Sequence, residues 1–154
     1  MNNYGNARGG YQQRQNTQPA SRSVVPLTQD NFADLAENAI KTLSEKTDNR
    51  GRKLAMLTTS QIRNLLAMTA DIYNEVAANN SEELSPEIIE RINYLRIRFA
   101  YEAGRDPKVK NFVETANIIE YMKKAKESKT EYIRFSRYME ALVAYHRYYG
   151  GKDQ

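Results

Sequence analysis

Apolar residues recur at helical spacing over most of the chain from residue 30 onward. In the first such segment, residues 30–45, they follow the spacing i, i+3, i+4, i+7, i+8, i+11, which places them on one face of an amphipathic helix. The members of this face are Phe32, Leu35, Ala36, Ala39, Ile40 and Leu43. The polar segment EKTDNRGRK then interrupts the pattern, and its Asn49 and Gly51 favour a turn. A first helix followed by a loop is therefore predicted.

Four further helices are predicted from residues that typically begin helices. Their starts are two capping boxes, Thr58 with Gln61 and Ser128 with Glu131, and two pairs with proline at the first helical position, Ser85 with Pro86 and Asp106 with Pro107. Because short segments join five helices and no segment alternates like a strand, the sequence predicts an all-α fold, a compact bundle of about five helices. The fourth helix is expected to be continuous, with an apolar face of Val109, Phe112, Val113, Ala116, Ile119 and Met122.

The N-terminal residues 1–27 have a different composition from the rest of the chain. Asn, Gln, Gly, Ser and Arg dominate this segment, and few of its groups can be buried. Such a segment cannot offset its conformational entropy, so a disordered low-complexity tail is predicted, followed by one helical domain over residues 28–154. Its Arg and Tyr residues suit loose RNA contact, and a tail that only aids solubility is an equal alternative.

Composition excludes several classes of protein. The 154 residues contain no cysteine, so there is no disulfide framework and no thiolate metal site. No apolar run approaches the ~20 residues of a membrane span, and no apolar stretch typical of a signal peptide is expected at the N-terminus. We therefore expect a soluble, cytoplasmic protein that makes no membrane contact.

Charge is distributed in blocks. The net charge of the chain is only +4, but residues 46–63 carry five basic side chains against one acidic side chain, and residues 91–111 carry six against two. Residues 71–90 lie between these blocks and carry six acids and no base. Localised basic patches attract phosphate even when the whole chain is nearly neutral, so the two basic blocks are candidate nucleic-acid contacts.

The first basic block contains a loop and the start of the second helix. Arg50, Arg52 and Lys53 lie in the loop, and Arg63 lies in the first turns of the helix, where a cation opposes the helix dipole. An unfavourable placement of this kind often marks a functional residue, and here the function would be phosphate binding. The alternative is that Arg63 is a surface residue without a function.

The second basic block lies on the third helix, within RINYLRIRFAYEAGR. Arg91, Arg98 and Arg105 recur at i, i+7 and i+14 and form one stripe that can follow an RNA backbone. The alternative is a solvated helix face paired with acids of the same helix. Those acids are Glu87, Glu90 and Glu102.

Two other features of this helix call for an explanation. Arg96 falls inside the apolar arc, so a structural ion pair with a carboxylate of a neighbouring helix is predicted, with snorkelling to solvent as the alternative. Tyr94, Ile97 and Tyr101 flank the arginine stripe and are unusually apolar for an exposed face. They predict a second packing surface for a partner protein.

No catalytic residues are predicted. His146 is the one histidine of the chain, and its position among apolar residues of the last helix indicates a core residue. There is no glycine-rich phosphate loop and no nucleophile elbow. Metal ligation would require a carboxylate cluster, which the sequence does not contain. We therefore expect that the chain is not an enzyme and that it binds neither a metal nor a cofactor.

Three segments resemble the small helical subunit of type III-A CRISPR (Csm) effector complexes. They are LTTSQIRNLLAMTADIYNE, INYLRIRFAYEAGRDPKVKNFVE and RFSRYMEALVAYHRYYGGKD, and the resemblance extends over residues 30–153. It implies a helical subunit without nuclease activity that supports antiviral RNA and DNA interference. It also implies copies of the chain that stack along the duplex of guide RNA and target RNA, contacting the repeated backbone subunit and the large polymerase-like subunit. On the same basis, RNA contact is expected at residues 50–53, Arg63 and Arg137.

A different class of function is also compatible with the sequence. A free-standing helical DNA-binding regulator, or a protein–protein adaptor, would also be a small basic helical protein. The short join GRDP, residues 104–107, fits a helix-turn-helix loosely. The helix that follows, KVKNFVETANIIEYM, carries few side chains that read bases, so this alternative is the weaker one.

Overall fold

The computed structural model describes residues 24–153, and this part of the chain is an α-helical bundle. The one β-type feature within residues 24–153 is an isolated antiparallel bridge between Thr47 and Lys53. The prediction of an all-α bundle is confirmed. The predicted disorder of residues 1–23 concerns residues outside the described part. The helices are α1 Phe32–Glu45, α2 Thr59–Ala78, α3 Pro86–Arg105, α4 Pro107–Thr115, α5 Ile118–Ala125 and α6 Lys129–Tyr148.

The last helix, α6, lies at the centre of the bundle and packs against α1, α2 and α5. Two of its tyrosines are buried, and each donates its hydroxyl to a backbone carbonyl. The hydroxyl of Tyr132 lies 2.7 Å from the oxygen of Thr69 in α2, and that of Tyr138 lies 2.8 Å from the oxygen of Ala116. The buried face of α6 consists of Tyr132, Phe135, Ser136, Tyr138, Met139, Leu142 and His146.

The helix starts lie where the capping residues predict them. In α2 the box is complete, because the Thr58 hydroxyl accepts from the backbone N–H of Gln61 at 3.1 Å and the Gln61 side chain accepts from the N–H of Thr58 at 2.8 Å. Ser85, Asp106 and Ser128 each accept a backbone N–H from the first turn of the next helix. Local hydrogen bonding thus defines the starts of four of these helices.

The predicted fourth helix is divided into α4 and α5, which corrects the expectation of a continuous element. Asn117 adopts a left-handed conformation with φ 53°, which asparagine tolerates better than most residues. The break leaves the carbonyl of Ala116 available to the hydroxyl of Tyr138. It also rotates the apolar face, so that Ile118 is fully buried whereas Ile119, the predicted core residue, is half-buried.

The N-terminal end of the described chain packs against the bundle. Leu27 is buried, and the backbone carbonyl of Val25 accepts a hydrogen bond from the hydroxyl of Tyr121 at 2.7 Å. The Asn31 side chain donates to the carbonyl of Pro26 at 2.9 Å. Residues 24–27, which were assigned to the tail, are therefore in contact with the helical domain.

Candidate nucleic-acid interface

One end of the bundle brings together segments that are distant in sequence. The N–H of Thr59 donates to the carbonyl of Lys152 at 2.8 Å, which joins the start of α2 to the residues after α6. The Gln61 side chain donates to Asp106 at 2.7 Å, which places the α3–α4 junction beside the same turn. We call the loop 46–58, the first two turns of α2 and residues 150–153 the basic end. It contains four of the predicted RNA contacts.

The loop of the basic end is held in one conformation by Asp48. Its carboxylate accepts the backbone N–H groups of Arg50 at 2.8 Å and Arg52 at 2.9 Å, and it pairs with the Arg52 guanidinium at 3.0 Å. The N–H group of Arg52 first, and then that of Arg50, lower the pKa of Asp48 below its ordinary value. Gly51 provides the left-handed residue of the turn, with φ 76°. Arg52 is thus partly neutralised, while Arg50 and Lys53 extend outward on a defined backbone.

Three of the predicted contacts at the basic end are exposed cations without an acidic partner in the described part of the chain. Arg50 and Lys53 are exposed in the loop, and Arg63 is exposed on the second turn of α2. None of the ion pairs formed within residues 24–153 includes them. Their charges are therefore not offset locally, which is the condition for binding a phosphate.

The arginine stripe on α3 is only partly free. Arg91 forms an ion pair with Glu75 of α2 rather than with the predicted acids of its own helix. Arg105 does pair within α3, with Glu102 at 3.5 Å, and its guanidinium lies 5.6 Å from the centroid of the Tyr101 ring. Arg98 is exposed and forms none of the ion pairs of residues 24–153. The stripe begins beside the basic end at Arg105 and runs away from it along α3.

Arg96 is half-buried, and no carboxylate among residues 24–153 pairs with it. The predicted structural ion pair is therefore not formed within the described part of the chain. The physical reason is that the long side chain is only half-buried, so it can cover apolar surface and still reach water. The snorkelling alternative accounts for this residue.

Arg137 lies on a different surface from the basic end. It is exposed on α6, pairs with Glu140 at 3.3 Å, and donates to the hydroxyl of Tyr73 at 3.2 Å. Tyr73 lies roughly 20 Å along α2 from Thr59, at 1.5 Å per residue. Arg137 and the loop cations therefore cannot contact the same phosphate.

His146 is enclosed at the boundary between the basic end and the core. The residue is fully buried, and its Nε2 lies 2.7 Å from the carbonyl of Leu57, to which it donates. Burial lowers the pKa of His146 below 6.5, so the ring is neutral near pH 7. The prediction of a core histidine is confirmed. Residues 24–153 also contain no group of three or more side chains arranged to hold a metal ion.

The apolar residues that flank the arginine stripe are exposed, as predicted. Tyr94 and Ile97 retain 58% of their accessible surface and Tyr101 retains 64%. We call these three residues the apolar face of α3.

In the described part of the chain, no helix has the length and apolarity needed to cross a bilayer.

One residue at the basic end was missed by the sequence analysis. Lys152 follows α6 in the segment GGKD, residues 150–153, and was not among the predicted RNA contacts. In the structure, Lys152 and Lys53 line the same cleft. Only the return of the chain after α6 brings them together, and no local pattern indicates this return.

The fold and the surface define a class of protein: a small all-α bundle with a structured basic loop at one end. Residues 37–152 match the family described as Csm2 Type III-A. The chain is 46% identical over 127 residues to the CRISPR system Cms protein Csm2 of Streptococcus thermophilus, covering 82% of this chain and 98% of the relative. It is 37% identical over 130 residues to the Csm2 protein of Mycobacterium tuberculosis, covering 84% of this chain and 100% of the relative. A third relative, the CRISPR system Cms protein Csm2 of Enterococcus italicus, is 33% identical over 123 residues, covering 75% of this chain and 87% of the relative. The chain therefore belongs to the Csm2 family of type III-A CRISPR systems, which confirms the resemblance.

Proposed function

We propose that this chain is a non-catalytic, RNA-binding small subunit of a type III-A Csm effector complex, and that its basic end contacts RNA phosphates. The observation that carries this proposal is a set of three exposed cations that pair with no acid within residues 24–153 and lie at one end of the bundle: Arg50, Lys53 and Arg63. Family membership supplies the setting, a CRISPR ribonucleoprotein.

The order of the loop supports phosphate binding. Asp48 and the Thr47–Lys53 bridge fix the backbone before any ligand arrives, so binding does not have to order the loop. The contacts are charges rather than groups that read base edges. RNA binding is therefore expected to be independent of base sequence and to weaken steeply with salt.

Protein contacts form the second part of the proposal. The chain stacks beside further copies of itself along the duplex of guide and target RNA, and contacts the repeated backbone subunit and the large polymerase-like subunit. The apolar face of α3 supports this part, because large exposed apolar side chains are typical of protein contacts. Arg91, Arg98 and Arg105 border that face, and their RNA contact, like that of Arg137, remains a prediction.

No observation favours the alternative of a free-standing DNA-binding regulator. Such a protein would need a polar recognition helix after the α3–α4 turn. The helix at that position, α4, has only nine residues, and Val109, Phe112 and Val113 are buried in the core.

The test replaces single cations in the complex assembled with guide RNA and measures the affinity for target RNA over a range of salt concentrations. Arg63→Ala is expected to weaken binding and to reduce the slope of log affinity against log salt by roughly one unit. Lys123→Ala is the matched control, because it removes an exposed charge from α5. If Arg63→Ala and Lys53→Ala both behave like the control, the basic end does not bind RNA.

A further inference from the structure

The chain folds back after α6 and is fixed against the start of α2. Gly150 takes a left-handed conformation, with φ 93°, and turns the backbone. The N–H of Gly151 then donates to the carbonyl of His146 at 2.7 Å, and the carbonyl of Lys152 accepts from Thr59 at 2.8 Å. The guanidinium of Arg147 adds a bond to the carbonyl of Gly151 at 3.3 Å. The residues after α6 are therefore held by hydrogen bonds at both ends of the return.

Glycine is required at position 151 because the segment passes directly over the buried histidine. A Cβ atom at this position would lie 2.2 Å from Cε1 of His146 and 2.6 Å from its backbone oxygen. The same ring donates to Leu57 in the loop before α2. His146 thus contacts both segments and fixes the position of Lys152 relative to the loop that carries Lys53.

A cleft of about 420 Å³ lies between these two segments. Lys53 and Lys152 line it, and none of the acidic residues in the described part of the chain does. Its remaining wall is partly apolar and includes Leu54, Met56 and the ring of Tyr149. The hydroxyl of Tyr149 donates to Glu37 at 2.6 Å, and Glu37 itself does not line the cleft. The cleft combines two cations with an apolar surface. These groups are complementary to a nucleotide, whose phosphate is anionic and whose base can stack on an aromatic ring.

We propose that this cleft binds one nucleotide of an RNA strand, with its phosphate between the ammonium groups of Lys53 and Lys152 and its nucleoside against Met56 and Tyr149. The inference rests on the proposed RNA-binding function and extends it to a residue outside the loop. Lys152 is an RNA-contacting residue, and His146 and Gly151 are positioning residues that act through it.

Acetylation of lysines in the full-length chain, with and without a short RNA duplex at low salt, tests the contact directly. RNA is expected to protect both Lys53 and Lys152 from acetylation and to leave Lys123 reactive. Lys152→Ala is expected to reduce the salt slope of RNA binding by roughly one unit, while Lys123→Ala leaves the slope unchanged. Gly151→Ala should reproduce the binding defect of Lys152→Ala, because the added Cβ displaces the segment.

The outcomes separate this inference from the function on which it rests. If RNA protects Lys53 but not Lys152, and Lys152→Ala keeps the wild-type slope, the cleft is not a nucleotide site although the basic end binds RNA. If Lys152→Ala disrupts assembly with the other subunits while the slope is unchanged, the cleft takes a partner's acidic peptide instead. If the wild-type chain binds no RNA even at low salt, the proposed function and this inference both fail.

Discussion

Replacing Tyr138 by Phe should destabilise the bundle more than the same change at Tyr132, although both hydroxyls are buried and bonded to carbonyls. Ala116 lies at the break between α4 and α5, and among residues 24–153 its carbonyl accepts from Tyr138 alone. Tyr138→Phe therefore leaves a buried acceptor unsatisfied, which costs about 1–3 kcal/mol. Thr69 lies inside α2, whose carbonyls also accept N–H groups of the helix, so Tyr132→Phe should cost only about 1 kcal/mol.

Thermal and urea unfolding followed by circular dichroism measure the difference. In a chain of this size, each kcal/mol lowers Tm by about 2–4 °C. Tyr94→Phe is the control, since Tyr94 is 58% exposed and surface changes stay within about 0.5 kcal/mol. Burial raises the pKa of Tyr138, so its hydroxyl remains a donor throughout the neutral range. The reasoning about the Ala116 carbonyl would be refuted if Tyr138→Phe had the same Tm as the wild type. It would also be refuted if Tyr132→Phe had a lower Tm than Tyr138→Phe.

Three further predictions concern His146, Arg96 and catalysis. The pKa of His146 lies below 6.5 in the folded chain, so the unfolded chain binds the proton first as pH falls. The Tm of the wild type should therefore decrease below pH 6.5. The decrease should be smaller in His146→Gln. If Tm depends on pH in His146→Gln as strongly as in the wild type, a group other than His146 causes this dependence. Arg96→Ala should cost less than about 1 kcal/mol in urea unfolding, since no ion pair is broken within residues 24–153, and a cost several times larger would indicate a missed partner. The purified chain, incubated with RNA and a divalent metal, should leave the RNA intact on a denaturing gel, and cleavage abolished by His146→Ala would contradict the non-catalytic assignment.

The sequence predicts those parts of the fold that depend on neighbouring residues. Thr58 and Gln61 identify the start of α2 because the bonds of a capping box span only three residues. The break at Asn117 was not predictable in this way, since the apolar spacing continues through it. The bond that uses the break joins Ala116 to Tyr138, which belongs to another helix.

The same distinction applies to the candidate site. The basic loop is visible in the sequence as a run of cations, and the pairing of Arg105 with Glu102 follows from their spacing on one helix. The pair between Arg91 and Glu75 depends on how α2 packs against α3. Lys152 joins the cleft only because the chain returns over His146, so charge and spacing alone give no indication of its position.

The central position of α6 has a consequence for how the protein is made. A ribosome synthesises this helix after α1, α2 and α5, against which it packs. Until α6 emerges, the apolar faces of those helices lack their main partner, and much of the long-range pairing must wait for residues 129–148. A nascent chain stalled before residue 129 should therefore stay open to proteases and chaperones. The bundle closes only once α6 has been synthesised, so a product that terminates before this helix should be degraded before it can enter an assembly.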